Sequence, residues 1–399
     1  MRHLLPLLLL FLAVHPFALA EDRVVPQADL PKPGYLESYT DPAFGSKVTR
    51  ITGDVGELIP SLDARWNEVA RQGYSKDSAW NWDQSLLLLK RHHGFPSMLF
   101  LDGRTYEPLF GRNLGPGSET RWLPGKPDHM LYVKDQTIGL WNVREDSTEV
   151  VATFPGYSDF HLGPWEGNLS HDGNRLAISA TKAGVPVVFA YDVAEKKKYP
   201  DLSPTLRRLD WVTISASGNY LVINGHFTGE QGDQSQVYTL EGEPVGPLWE
   251  EYGRPSHYDL AIDENGQDIA VGVSKSRPDD GRVIKRQLSD GKVTVLTSGG
   301  YAGHTSCRNL QRPGWAYVTY QHQGPDWGPY WDEVLAVKLD GSLTVERFAH
   351  LRSLRTDYLT EAHVVPSPDG LRVLWASAWK SATGRPISAY VAEQKEEAP

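Results

Sequence analysis

The stretch "SPDGLRVLWAS", residues 367–377, joins a four-residue turn to a run of strand length. Asp and Gly favour the turn, because Asp bonds nearby backbone and Gly accepts left-handed dihedrals. The run that follows is aliphatic and aromatic, suited to a half-buried pleated surface. The same unit recurs: "SHDGNRLAISA" fills 170–180, "SASGNYLVING" fills 215–225 and "DENGQDIAVGV" fills 263–273. Looser versions begin with "NWDQ" at 81, "GKPD" at 125 and "RPG" at 312. The last residues of these turns are Gln84, Asp128, Gly173, Gly218, Gly266, Gly314 and Gly370, separated by 44, 45, 45, 48, 48 and 56 residues. A period of about 45 residues with room for four short strands predicts an all-β fold, a seven-bladed β-propeller. The widest gap reflects an insert, "QHQGPDWGPYWDE" at 321–333.

Closure of the ring is legible too. After Gly370 the chain has room for only "RVLWAS" and "ISAYVA", which leaves the seventh blade short of an outer strand. The N-terminal "SKVTRIT", residues 46–52, is the strand expected to close this last blade. The propeller then spans 46–393, with a Pro- and Gly-containing arm over 21–45 and a tail over 394–399. Residues 1–20, "MRHLLPLLLLFLAVHPFALA", have a basic start, a leucine run too short for a membrane span and a small-residue end, which reads as a secretory signal peptide. A secreted or periplasmic protein with no membrane span is expected. Without that leader the chain has 39 Lys and Arg against 50 Asp and Glu, a net charge of −11, which disfavours a general nucleic-acid binder.

The register makes a sharper expectation possible. Seven residues before each turn mark stand Asp77, Arg121, Glu166, Trp211, Asp259, Cys307 and His363, one on the innermost strand of each blade. A structural sheet core would be aliphatic here, yet the column is polar and ionisable. Blades 5, 6 and 7 would bring Asp259, Cys307 and His363 to one level, with a fourth donor from His304 in "GHTSCRN" (303–309) or from His257. A thiolate with imidazole and carboxylate donors favours zinc over Mg²⁺ or Ca²⁺, and would explain a lone cysteine in an exported chain. The alternative is a small buried Cys beside unrelated polar groups.

The inter-blade loops at one end carry most of the histidines, in "RHHGF" (91–95), "GYSDFH" (156–161), "GHFTGEQGD" (225–233) and "RPSHYD" (254–259). Aromatics at that end, including Trp327, Tyr330 and Trp331, offer faces for sugar rings, and Arg112, Arg121, Arg207 and Arg208 offer partners for acidic groups.

Together the leader, the seven repeats, "GHTSCRN…RPGWAYV", "EAHVVPSPDG" and "SKVTRIT" resemble the propeller polysaccharide lyases, the group that contains oligogalacturonate lyases and ulvan lyases. The resemblance covers most of 45–393 and is greatest in blades 5 to 7. It implies β-elimination on a uronic-acid glycan and a metal held by histidines and other side chains, with His304, Cys307 and His363 the best-matching positions. The oligogalacturonate lyases use a His-rich shell, from which Cys307 and Asp259 depart. β-Elimination needs a group to neutralise the uronate carboxylate, a base for the C5 proton and an acid for the leaving oxygen at C4. Arg208 is assigned the first role, His93, His226 or His257 the second and Tyr157 the third. A monomer acting on an anionic uronate polysaccharide or oligosaccharide is expected. Two other readings stay open: a non-catalytic glycan- or protein-binding propeller, and a glycoside hydrolase using two of Asp77, Glu166 and Asp259.

Overall fold

The repeated turn is built by its own side chains. In the computed structural model, which describes residues 23–113, 118–230, 232–249, 254–321 and 328–394, Ser367 Oγ donates to Asp369 at 2.5 Å and accepts the Arg372 N–H at 3.1 Å. Gly370 N–H returns to Ser367 O at 2.8 Å. Its φ of 71° lies in the left-handed region that glycine enters without strain. A Cβ there would also stand 2.1 Å from the Tyr317 hydroxyl of the neighbouring blade. Ser170, Asp172, Gly173 and Arg175 repeat the arrangement in blade 3. The sequence repeat is thus a repeat of hydrogen bonds, each sending the chain back along the strand it has just left.

Seven antiparallel blades result among the described residues, with the order the spacing predicts, beside a short pair of Ala70–Arg71 with Arg91–His92. Blade 2 runs Glu119–Trp122, His129–Lys134, Thr137–Asn142 and Ser147–Thr153 from the channel outward. Blades 4, 5 and 6 also have four strands, and their inner strands are Leu206–Ile214, Pro255–Ile262 and Thr305–Ser306. Blade 3 opens with Tyr157–His161. Blade 1 is built on Leu86–Leu89, Met98–Asp102 and Pro108–Arg112, with its inner edge reduced to a bridge between Trp80 and Leu87.

Blade 7 closes the ring as expected. Lys47–Arg50 pairs with Ser388–Glu393 from Lys47↔Glu393 to Arg50↔Tyr390. The arm adds a fifth strand, Ser38–Thr40, outside it. Its earlier residues cross blades 6 and 7, where Arg347, His350, Arg352 and Trp379 donate to the backbone oxygens of Arg23, Val25, Ala28 and Leu30.

Between blades the sheets bury aliphatic faces against each other. Val271 and Val283 of blade 5 meet Val318 and Leu335 of blade 6, and Leu374 and Val391 of blade 7 meet Trp80 and Leu87 of blade 1. Burying each such side chain is worth about 1.5–3 kcal/mol, and these interfaces fix the angle at which the inner strands converge. Helical structure among the described residues is one 3₁₀ turn, Tyr358–Thr360, capped by Asp357; no helix is long and apolar enough to cross a membrane. The leader at 1–20, His322 and Trp327 of the insert, and all of the tail after Gln394 lie outside the described residues.

Candidate metal centre

The first four members of the polar column are linked from blade to blade, two of them through Lys76. Arg121 meets Asp77 at 3.0 Å, Lys76 meets Glu166 at 2.6 Å, and Lys76 Nζ stands 3.4 Å from the Trp211 ring centroid. Blades 5 to 7 differ from the expectation. Asp259 takes Nε and Nη2 of Arg308 at 2.9 and 3.0 Å, the Cys307 backbone N–H at 2.7 Å and the Leu260 N–H at 2.9 Å. Both its oxygens are occupied by this pair. The Cys307 side chain joins the apolar cluster between blades 5 and 6, where burial first and then the Asp259 charge push its thiol well above the usual range. Neither residue converges on His363. Side chains alternate along an extended chain, and the sulfur falls on the side facing the inter-blade core.

What converges on His363 is His304 and Glu361. Their ligand atoms all lie within 4.8 Å of one another, and all three residues are buried. Glu361 Oε2 stands 3.6 Å from His304 Nε2 and 3.4 Å from His363 Nε2, and the imidazole centroids are 4.0 Å apart. The local structure holds them there. The 3₁₀ turn ends at Thr360, and Gln321 accepts the Ala362 N–H at 3.1 Å and donates to Thr360 O at 2.8 Å. Gln72 donates to the carbonyls of Ala362 and His363 at 2.8 and 2.7 Å. His363 itself has a φ of 46°, a left-handed position for a non-glycine residue that its surroundings must enforce. On the blade 6 side the His304 N–H donates to Thr319 Oγ1 at 3.1 Å.

His257 borders this group. A register shift between Ser256 and Asp259 turns it outward from blade 5 with a φ of 47°. Its ring centroid is 4.5 Å from that of His304, and its Nδ1 is 3.3 Å from the Tyr74 hydroxyl. The Tyr74 ring lies against both His304 and His363.

Burial, then the neighbouring imidazole and arginine charges, hold His304 and His363 well below the usual histidine range, so both are neutral and present lone pairs. Burial raises the Glu361 carboxyl although Arg355 lies 2.5 Å away. His363 Nδ1 is buried with no hydrogen-bond partner among the described residues. Two neutral imidazoles and a carboxylate aimed at one point fit a divalent metal ion. With the thiolate gone, the preference for zinc loses its basis, since this donor set also suits manganese and iron. Glu361 was missed in the sequence although "EAH" contains it. Glu361 and His363 are two residues apart, and with His363 in its left-handed conformation the two side chains meet, Oε2 to Nε2, at 3.4 Å.

The other expected residues separate. His226 stands 2.7 Å from Asp233 and 3.2 Å from Arg208 Nη2, a group of its own on blade 4. Arg254, three residues before His257, approaches Asp233 at 3.7 Å. Tyr157 is buried and donates to Asp201 at 3.0 Å, so it supports blade 3 and is not a free acid. His93 is exposed in the loop after Arg91–His92, and none of the contacts building the metal group involves it. Tyr330 is fully buried against Tyr320 rather than offered to a sugar. Arg112 and Arg207 bond backbone oxygens.

Beside the metal group opens a cleft of about 550 Å³, lined by Asp77, Lys90, Arg91, Glu119, Arg121, Trp165 and Glu166 and sharing Tyr74 and Tyr358 with the wall of the metal group. Burial would raise the Asp77 carboxyl, but Arg121 and Lys90 override it and hold it below the usual range. Burial lowers Lys90 to about 8, partly offset by Asp77.

No protein-family profile and no curated protein sequence matches the chain. Solved structures do. An oligogalacturonate lyase in complex with manganese superposes with a TM-score of 0.62 at 16% identity, over 92% of this chain and 97% of the other. An oligogalacturonate lyase from Vibrio parahaemolyticus superposes with a TM-score of 0.60 at 12% identity, over 91% and 97%. The seven-bladed fold is common to all three.

Proposed function

We propose that this chain is an exported, metal-assisted polysaccharide lyase that cleaves a uronate-containing glycan, of oligogalacturonate or ulvan type, by β-elimination. The observation that carries the reading is the buried group of two imidazoles, His304 and His363, and the Glu361 carboxylate, beside a cleft lined by Lys90, Arg91 and Arg121 together with three acids, on a fold shared with oligogalacturonate lyases. A divalent ion held by these three residues would supply positive charge to the uronate carboxylate, which acidifies the C5 proton. Arg208, beside His226, would add to that neutralisation. His226 is the better base, because Asp233 at 2.7 Å orients the ring and stabilises the cation formed when it takes the C5 proton. The electron pair left on C5 forms the C4–C5 double bond and expels the C4 oxygen. The Tyr74 hydroxyl, 3.3 Å from His257 Nδ1, would protonate that oxygen in place of Tyr157. The hydrolase reading is weakened because the Asp77 and Asp259 carboxylates are each tied to an arginine of the chain.

The test is incubation with oligogalacturonate and with ulvan oligosaccharides, with manganese or with chelator, following ultraviolet absorbance of the unsaturated product. Metal-dependent product that falls at least about 100-fold in His226→Ala supports the reading, a loss typical of removing a general base. Absence of unsaturated product from either glycan, with binding retained, would leave a glycan-binding propeller.

A further inference from the structure

Trp165 is a large apolar side chain that the fold goes out of its way to expose. Its relative exposure is 55%, and its φ is 67°, a conformation costly for a bulky residue. Two buried charged groups hold it there: Glu119 Oε2 accepts the Trp165 N–H at 2.7 Å, and Arg121 Nη2 donates to the Trp165 carbonyl at 2.8 Å. Strain maintained by surrounding structure, at a residue whose side chain gains little from burial, points to a use outside the fold. The indole borders the cleft.

The charges around the cleft are unequal in a second way. Lys90 and Arg121 are both paired with Asp77, and Lys76 with Glu166. Arg91 makes no ion pair among the described residues and leans instead on the Tyr358 ring, 5.8 Å from its centroid. Beyond its contact with Tyr358, its planar fork therefore meets no carboxylate of the described residues and can take an incoming one.

We propose that this cleft is a subsite for the sugar adjoining the scissile uronate, in which Trp165 stacks on the apolar face of the ring and Arg91 pairs with its carboxylate. The assignment rests on the lyase reading for which sugar lies at the metal, and names the substrate as one with at least two consecutive uronates. Tyr74 and Tyr358, shared by the cleft and the metal group, would separate the two sugar positions.

Calorimetric titration of the chelator-treated full chain with tetragalacturonate, and with a neutral galactan tetramer, tests it without turnover. Trp165→Gly is informative because glycine adopts the observed φ freely. Its melting temperature should hold or rise while affinity for both oligomers falls about 3- to 10-fold, the range of one aromatic contact. Arg91→Gln should weaken tetragalacturonate about 10-fold or more and leave the galactan unchanged, with Arg91→Lys recovering part of the loss. Wild-type affinity in both variants, or a lowered melting temperature in Trp165→Gly, would overturn the subsite even if the metal-loaded chain still makes unsaturated product. If the variants lose affinity as expected but the metal-loaded wild type makes no such product, the lyase reading falls and the subsite stands. A wild-type chain that binds no oligouronate sinks both.

Discussion

Cys307 and His363 stand at the same sequence offset from their turns, yet one is core and the other is chemistry. The paired register differs between the blades: Ser306 faces Tyr317, three residues past Gly314, while in blade 7 it is Pro366 that faces Val373, three past Gly370, so Cys307 lies on the turn side of its inner strand, in the apolar cluster, and His363 before the start of its own. Cys307→Ser should therefore place a hydroxyl among apolar side chains and cost about 1–3 kcal/mol, while metal content by elemental analysis stays at the wild-type level. His363→Ala should do the reverse, abolishing bound metal. A second residue reports on pH. His171 Nε2 is buried without a hydrogen-bond partner among the described residues, and burial followed by the Arg308 charge lowers the imidazole to about 4, against an ordinary value of 6.5. The unfolded chain takes up this proton near pH 6.5 and the folded chain refuses it until about pH 4, so this contribution is intact above the window and is lost as pH falls through it. Urea midpoints measured between pH 7 and 4 should show a steeper acid loss in wild type than in His171→Gln; parallel profiles would remove His171 as a cause.

At the scale of elements, the arm matters more than its composition suggests. Residues 23–30 satisfy side chains of blades 6 and 7, including the buried Arg352, and Gln27 donates to Asp332 at 2.6 Å. Deleting residues 23–40 removes these bonds and the outermost strand, but leaves Lys47–Arg50 paired. A fall of about 5–10 °C in melting temperature is expected, with metal binding retained. Extending the deletion through Thr52 exposes the apolar edge of Ser388–Glu393, whose Ala389 to Ala392 are fully buried in the intact sheet. That shorter chain should aggregate on light scattering. A soluble monomer of unchanged stability would mean that closure does not depend on the N-terminal strand.

For the molecule as a whole, the proposed metal is a clasp across the ring. His304 belongs to blade 6, Glu361 and His363 to the approach to blade 7, and unfolding would scatter all three. An ion that binds only the folded state stabilises it by mass action, about 2.7 kcal/mol at a free concentration one hundred times its Kd. Manganese titration should raise the melting temperature in step with its concentration, chelator should reverse the gain, and Glu361→Gln should blunt it. A melting temperature indifferent to manganese, zinc and chelator alike would remove the metal centre.

Turn chemistry is local, so Ser367–Gly370 and its counterparts announced seven blades without any knowledge of the fold. The closing strand was equally legible, because blade 7 lacked an edge partner that only residues 46–52 could supply. The polar character of the inner strands was legible as well, but a fixed offset from each turn does not hold one level, because the turn of blade 6 is longer: Ser306, which faces Tyr317, precedes Gly314 by eight residues, and Pro366, which faces Val373, precedes Gly370 by four. What the column could not contain was the direction of each side chain. That direction depends on the bulge before Asp259, on the 3₁₀ turn before Glu361 and on Arg308 reaching Asp259 first, each set by contacts between blades rather than by neighbours in sequence. The sequence alone determined the scaffold; the convergence of His304, Glu361 and His363, and the exposure of Trp165, were decided by tertiary packing of strands that are distant along the chain.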